Sequence, residues 1–210
     1  GAAANVFYGY KTNGVFKTTN DALVSGLRTK NADGTFSNFQ GGDVRFVDLN
    51  GDRIIDEKDM QQLGSSAPRF HGSFSSKLTL KRFTLDALFT FSQGNEVFNQ
   101  LRYFLESASS TDNQLNSVVN RWRTEGQVTN MPKASFGDPR GNNRFSDRWI
   151  EDGSYLRLRN ITLSYDLSFK EKFVKNATVY LTGNNLLTFT KYMGFDPEFS
   201  AGNAGFAQGI

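Results

Sequence analysis

The sequence has no cysteine. That excludes a disulfide framework, a thiolate metal site and a thiol nucleophile, and it leaves the compartment open. There is one histidine, His71, which argues against a zinc site or a Ser/His triad. Nowhere do about 18 apolar residues run together, so no helix is long and apolar enough to cross a membrane. Charge of one sign is scarce too: 24 Lys and Arg stand against 21 Asp and Glu, for a net +3, without a dominant basic run. Nucleic acid is therefore not an expected partner, since it calls for a clustered patch. No phosphate-cradling loop leads into a helix. The first five residues lack the basic start and apolar run of a signal peptide, and the chain reads as a piece of something longer.

Phenylalanine and glycine are plentiful, 20 of each in 210 residues. Phe70, Gly72, Phe74, Ser76, Leu78 and Leu80 alternate with His71, Ser73, Ser75, Lys77 and Thr79. After Lys81-Arg82, Phe83, Leu85, Ala87, Phe89 and Phe91 alternate with Thr84, Asp86, Leu88, Thr90 and Ser92. A period of two over two such segments, joined by a minimal turn, predicts a β-hairpin with one apolar face and one mainly polar face. About 9–11 residues is also the span of a tilted strand crossing a bilayer. A second pair is expected at 155–167 and 177–187, joined through 168–176. The first half of 155–167 is blurred, because Arg157 and Arg159 share the apolar parity. Residues 6–10 read as the end of another strand, about five in all.

The connections alternate in length: very long (11–68), minimal (81–82), long (93–153), short (168–176), then long again from 188. Structureless loops of that size are foreign to a compact soluble domain. Short turns at one end and long loops at the other are the habit of outer-membrane barrels. An antiparallel sandwich with large insertions is the alternative. The polar average of the sequence does not decide between them, because barrel strands show lipid only at every second side chain. In the second long loop, Val97, Leu101, Phe104 and Leu105 fit helical spacing, as do Leu115, Val118, Val119 and Trp122. Residues 135–147 and 203–208 read as irregular loop.

The sharpest local motif runs from Asp48 to Asp59. Asp48, Asn50, Asp52, Asp56 and Asp59 place oxygen side chains at loop positions 1, 3, 5, 9 and 12, and Ile54 would offer its carbonyl at position 7. Ca²⁺ takes six to eight hard oxygens, and this spacing wraps them around one point. Arg53 stands where glycine normally allows the sharp turn, and Asp59 is shorter than the usual Glu. The plainer alternative is a polar Asx-rich turn. His71 reads as a polar-face residue, and Asp86 has no partner at fixed spacing for acid–base work. Arg121-Trp122-Arg123 is too short for a nucleic-acid site. Asn142-Asn143-Arg144-Phe145 and Asp147-Arg148-Trp149 read as groups that pair charges inside a loop.

Several stretches in order resemble the SusC/RagA-type TonB-dependent outer-membrane transporters. They are Gly9-Tyr10-Lys11-Thr12-Asn13-Gly14-Val15-Phe16, residues 42–52 (GDVRFVDLNGD), Pro68-Arg69-Phe70, residues 92–99 (SQGNEVFN), residues 144–163 (RFSDRWIEDGSYLRLRNITL) and residues 179–198 (VYLTGNNLLTFTKYMGFDPE). The resemblance implies an all-β chain: residues 1–210 would be the C-terminal part of a transmembrane antiparallel β-barrel, with long extracellular loops, one of them partly helical. It implies import of oligosaccharide or peptide across the bacterial outer membrane. Partners would be TonB, through an N-terminal part not in this chain, and a SusD-like surface lipoprotein acting as a lid. The family normally ends in one further strand, so a fragment is expected. Phe74, Leu78, Leu80, Phe83, Leu85, Phe89 and Phe91 would face lipid, and the turns at 81–82 and 168–176 would be periplasmic. No catalytic residue is expected. The competing functions are a soluble β-rich glycan-binding module carrying a calcium loop and a glycoside hydrolase. The latter needs two facing carboxylates about 5–9 Å apart, for which the sequence offers no pattern.

Overall fold

A computed structural model of the chain describes residues 5–31, 33–169 and 174–198. In chain order these form β1 (Val6–Tyr10), β2 (Thr12–Val15), α1 (Thr19–Ser25), β3 (Arg28–Lys30), β4 (Phe36–Asn38), β5 (Val44–Phe46), β6 (Ile54–Ile55) and β7 (Met60–Ser65). Then come β8 (Phe70–Leu80), β9 (Phe83–Gln93), β10 (Glu96–Phe98), α2 (Gln100–Leu105), β11 (Ile150–Asp152), β12 (Tyr155–Ser168) and β13 (Asn176–Thr190). The expectation of irregular structure at 203–208 lies outside the described residues. Two units account for the fold of the described residues, one drawn from the stretches 5–66 and 98–151, the other from 67–97 and 152–198.

The second unit is a four-stranded antiparallel sheet in the order β13-β12-β9-β8. Its hairpin has the expected register, with Leu80 opposite Phe83 and Lys81-Arg82 as the turn. Lys81 takes φ 57, the left-handed step that a two-residue turn between twisted strands demands. Residues directly opposite share a face, so the apolar face can be read in rows across the strands. One row is Leu80, Phe83, Tyr165, Val179; the next is Leu78, Leu85, Leu163, Leu181. Further along come Phe74, Phe89, Leu158, Leu187 and then Gly72, Phe91, Leu156, Phe189. The other face carries Lys77, Asp86, Thr162 and Thr182 in one row and Ser73, Thr90, Arg157 and Thr188 in another. Both the hairpin turn and the β12–β13 connection lie at one end of the sheet, and the long connections leave from the other. At about 3.4 Å per residue, an 11-residue strand is about 37 Å long; tilted by about 40° it rises about 28 Å, enough for the hydrocarbon layer.

The blurred parity of residues 155–167 has a structural cause. Leu158 pairs with Phe89 and Asn160 with Leu88, so Arg159 is an extra residue without a partner on β9. This bulge returns Leu156 and Leu158 to the same face as Ile161, Leu163 and Tyr165. The last strand is also longer than the expected 177–187, ending at Thr190 after passing the bulge with Asn185 at φ 52.

The first unit overturns the view of 11–68 as a bare loop. Phe16, Ala22, Leu27, Phe39, Val44, Phe46 and Ile55 form a buried core with Tyr10 packed against it. Full burial of each large side chain is worth roughly 1.5–3 kcal/mol. Around that core, β2 pairs with β5, and β3 lies between β4 and a parallel β6. Helix α1 begins at Thr18, whose side chain accepts the Asp21 amide at 3.0 Å, and ends at Gly26 with φ 69. Residues 6–10 do form a strand, but β1 pairs with β7 in a ladder of its own and is not a member of the four-stranded sheet. Of the two helical patterns expected in the second long loop, the first becomes α2 from Gln100 on, while its Val97 lies on β10. The second is a 3-10 helix, Asn116–Asn120, that stops short of Trp122.

Candidate functional site

The six candidate metal residues lie on one loop of the first unit, and the structure uses the side-chain oxygens of Asp48, Asn50, Asp52, Asp56 and Asp59 on the loop's own amides. Asp48 accepts from the amides of Gly51 (Oδ1) and Arg53 (Oδ2), each at 2.8 Å. Asn50 accepts from Asp52 N at 2.9 Å, and Asp52 accepts from Ile54 N at 2.8 Å. That last bond, foremost among the causes, holds the Asp52 carboxyl below its ordinary value. Asp56 and Asp59 form a reciprocal cap over the 3-10 turn Glu57–Asp59. Asp59 is fully buried, with Oδ1 accepting from Leu49 N and Oδ2 from Asp56 N, both at 2.9 Å. Ile54 is in β6, opposite Arg28. Arg53 adopts φ 63, so the backbone makes the left-handed turn despite the missing glycine. Among the described residues, no group of three or more His, Cys, Asp or Glu is arranged to hold a metal ion.

The second long loop is knitted to the first by polar contacts that the sequence does not announce. Asp43 is wholly buried and accepts from Gln40 N (2.8 Å) and Asn142 Nδ2 (2.9 Å), with Lys133 Nζ at 3.1 Å from its Oδ1. Asn142 in turn accepts from Val44 N at 2.7 Å. Trp122 donates to the Lys17 carbonyl at 2.9 Å and lies on Gly42, where a Cβ would fall 2.5 Å from its ring. Gly42 also takes φ 82, so the position needs glycine twice over. Arg144 crosses Tyr10 and Phe46, each ring centroid 5.3 Å away, and donates to the Thr29 hydroxyl.

Between α2, the 116–131 segment and Arg148 lies a cleft of about 510 Å³. Trp149, fully buried, forms part of its support, with the Arg148 guanidinium 4.8 Å and the Arg102 guanidinium 6.0 Å from its ring. Arg102 is held by two carboxylates: Glu106 at 2.9 Å and Glu151 at 2.5 Å. Burial lowers the Arg102 pKa, but its bonds to Glu106 and Glu151 outweigh that and leave it above the ordinary value. Burial draws Arg148 down to about 10, which still leaves it protonated at neutral pH.

On the polar face of the sheet, His71 stands opposite Ser92. Asp86 has Lys77 opposite it, 3.9 Å away, an exposed pair worth little in stability. Beyond the bulge, Arg157 is buried and donates to both Asp196 and Glu198, tying residues 196–198 to β12. Sequence reading missed Arg102, Glu106, Asp43 and Arg157 as organising charges. The only signal was Arg157 at an apolar parity.

No family model matches the chain. It is 34% identical over 94% of its length to TonB-dependent receptor P3 of Formosa agariphila, and 33% identical over 95% to receptor P26 of the same organism. It is 29% identical over 75% of its length to TonB-dependent receptor SusC of Bacteroides thetaiotaomicron. Of these relatives it spans 19%, 20% and 15% of the length. Among solved structures, the RagAB peptide importer in its open-open state superposes with a TM-score of 0.70 at 28% identity. That match covers 91% of this chain and 19% of the other.

Proposed function

We propose that this chain, in sequence and fold a stretch of a SusC-like TonB-dependent receptor, serves nutrient import across the bacterial outer membrane. The observation that carries the reading is the four-stranded sheet with one continuous apolar face and one polar face. In this reading the apolar face meets lipid, the polar face lines the lumen, and the turn at Lys81-Arg82 is periplasmic. Residues 11–68 and 93–153 then form the outward working surface. The substrate class is oligosaccharide or peptide; support comes from relatives named as receptors and from the solved neighbour named as a peptide importer. A SusD-like surface lipoprotein is the proposed lid, and TonB the proposed energy source.

The test is deletion of the gene in its native bacterium. The strain should lose growth on a defined oligosaccharide or peptide mixture as sole source and regain it with the full-length gene. The receptor should fractionate with outer membranes and need detergent for extraction. A protein extracted without detergent, with uptake unchanged by the deletion, would favour the soluble glycan-binding alternative.

Calcium on the Asp48–Asp59 loop is a further part of the proposal. It is supported by the ligand spacing and by Arg53, which makes the turn that glycine usually makes.

A further inference from the structure

We propose that the cleft beside Arg148 is a subsite for a carboxylate-bearing ligand, the acidic group of an imported peptide or sugar chain. The proposal rests on the import reading above. The cleft, about 510 Å³, is of the size that small-molecule sites have. Its charged lining is Arg102 and Arg148; among the described residues, no carboxylate lines it.

The two guanidinium groups differ in what already occupies them. Arg102 is fully engaged from behind by Glu106 and Glu151, both nearly sealed from solvent. Arg148 lies over the Trp149 ring, and its hydrogen bonds are only to the Asn142 carbonyl at 3.4 Å and the Met131 thioether at 3.9 Å, both at the long limit. The carboxylates that act on it from a distance are committed elsewhere. Glu106 takes Arg102 and the Ser117 hydroxyl. Asp147 takes the Thr12 amide and hydroxyl, and Asp138 takes the amides of Asn142 and Asn143. A largely desolvated guanidinium with weak partners is an open half of a charge-assisted pair, and a planar carboxylate matches its fork. The remaining lining suits the rest of such a ligand. The hydroxyls of Thr12, Ser117 and Thr129 spend their protons on Asp147, Glu106 and the Asn120 carbonyl. The lone pairs of Thr12 and Ser117, and the one that Thr129 keeps beside its bond from the Met131 amide, are left to accept from sugar hydroxyls or peptide amides.

The experiment is calorimetric titration of the full-length receptor in detergent with trigalacturonate, maltotriose, N-acetyl-trialanine and N-acetyl-trialanine amide. The expected result is tighter binding of at least one acidic probe than of its neutral counterpart, weakening as salt is raised. Which acidic probe wins tells a sugar acid from a peptide carboxylate. Arg148→Gln should weaken that probe about tenfold or more, and Arg148→Lys should restore part of it. Both variants are first checked for wild-type melting and heat-modifiable gel mobility. Should one fail, the acidic-to-neutral ratio and salt dependence of the wild type decide alone. The proposal is overturned if no acidic probe binds, if acidic and neutral probes bind alike, or if folded Arg148→Gln keeps full affinity. Uptake of neutral oligomers without acidic preference would remove this proposal and leave import standing. Equal uptake of every oligomer by wild-type and deletion strains would remove import itself.

Discussion

Arg157 and Glu198 are 41 residues apart in sequence, yet Arg157 Nη1 donates to Glu198 Oε2 at 2.7 Å. Arg159 reaches the same oxygen at 2.6 Å, and Arg157 also donates to Asp196. The Arg157 side chain is only 6% exposed, so its charge depends on those two carboxylates. Replacing it by Gln should release residues 191–198. Because both carboxylates are partly exposed, the global cost is small, about 1 kcal/mol. Hydrogen exchange should show the loss of protection there, with the sheet unchanged.

The same contact sets a pH dependence. The bond from Arg157, first among the causes, lowers the Asp196 carboxyl below its ordinary value. A depressed carboxylate contributes stability that is fully present above its unfolded value of about 3.9 and is lost as pH falls through the lower folded value. Protection of residues 191–198 should therefore hold at neutral pH and fail only in acid. In Arg157→Gln protection should be low already at neutral pH, with no acid transition left to see; an identical acid profile in both proteins would show that Asp196 is not held by Arg157.

Neighbouring residues on β12 should respond oppositely to charge. Leu163→Arg puts a cation on the apolar face and should cost about 2–4 kcal/mol in a bilayer. Thr162→Arg, on the polar face, should be nearly neutral. Reversible unfolding of the receptor in liposomes measures both, and equal penalties would contradict the facing assigned to the sheet.

Gly42→Ala should loosen the first unit far more than Gly14→Ala. Both glycines have positive φ, 82 and 74, but only Gly42 lies against Trp122, while nothing lies within 4 Å of a Cβ at Gly14. Backbone strain alone costs about 1 kcal/mol, and Gly42→Ala adds the displacement of the indole. Limited proteolysis within residues 11–66 should rise clearly for Gly42→Ala and only slightly for Gly14→Ala.

For the Asp48–Asp59 loop, Asp48→Ala with Asp52→Ala should lower the melting temperature more in Ca²⁺ than in EDTA. Equal losses in both would mean that the two carboxylates serve only the amides of Gly51, Arg53 and Ile54.

The hairpin Phe70–Gln93 was legible because one physical rule, alternation on a half-buried strand, governs every residue in it. The loop unit was not legible for the opposite reason. Its strands are two to six residues long, too short to show a period, and its core joins Phe16 to Phe39 and Val44 through pairings distant in sequence. Asp43 and Asn142, 99 positions apart, look like ordinary turn residues until the fold brings them together. Arg148 stood out in the sequence only within Asp147-Arg148-Trp149; that no carboxylate among the described residues pairs with it is a property of packing. The motif matches did reach these loops, because a family resemblance carries tertiary information that local periodicity cannot.

The bulge at Arg159 also determines where β12 tolerates a change in length. Against β9, Arg159 is the one residue of β12 between Tyr155 and Tyr165 with no opposite number. Removing it would leave Leu158 and Asn160 adjacent and opposite Phe89 and Leu88, with every flanking side chain on its present face. Removing Leu163 instead would reverse the facing of all residues to one side, sending Ile161 and Leu158, or else Tyr165, toward the polar side. Single-residue deletions along this strand should therefore be viable at one position and lethal to assembly elsewhere.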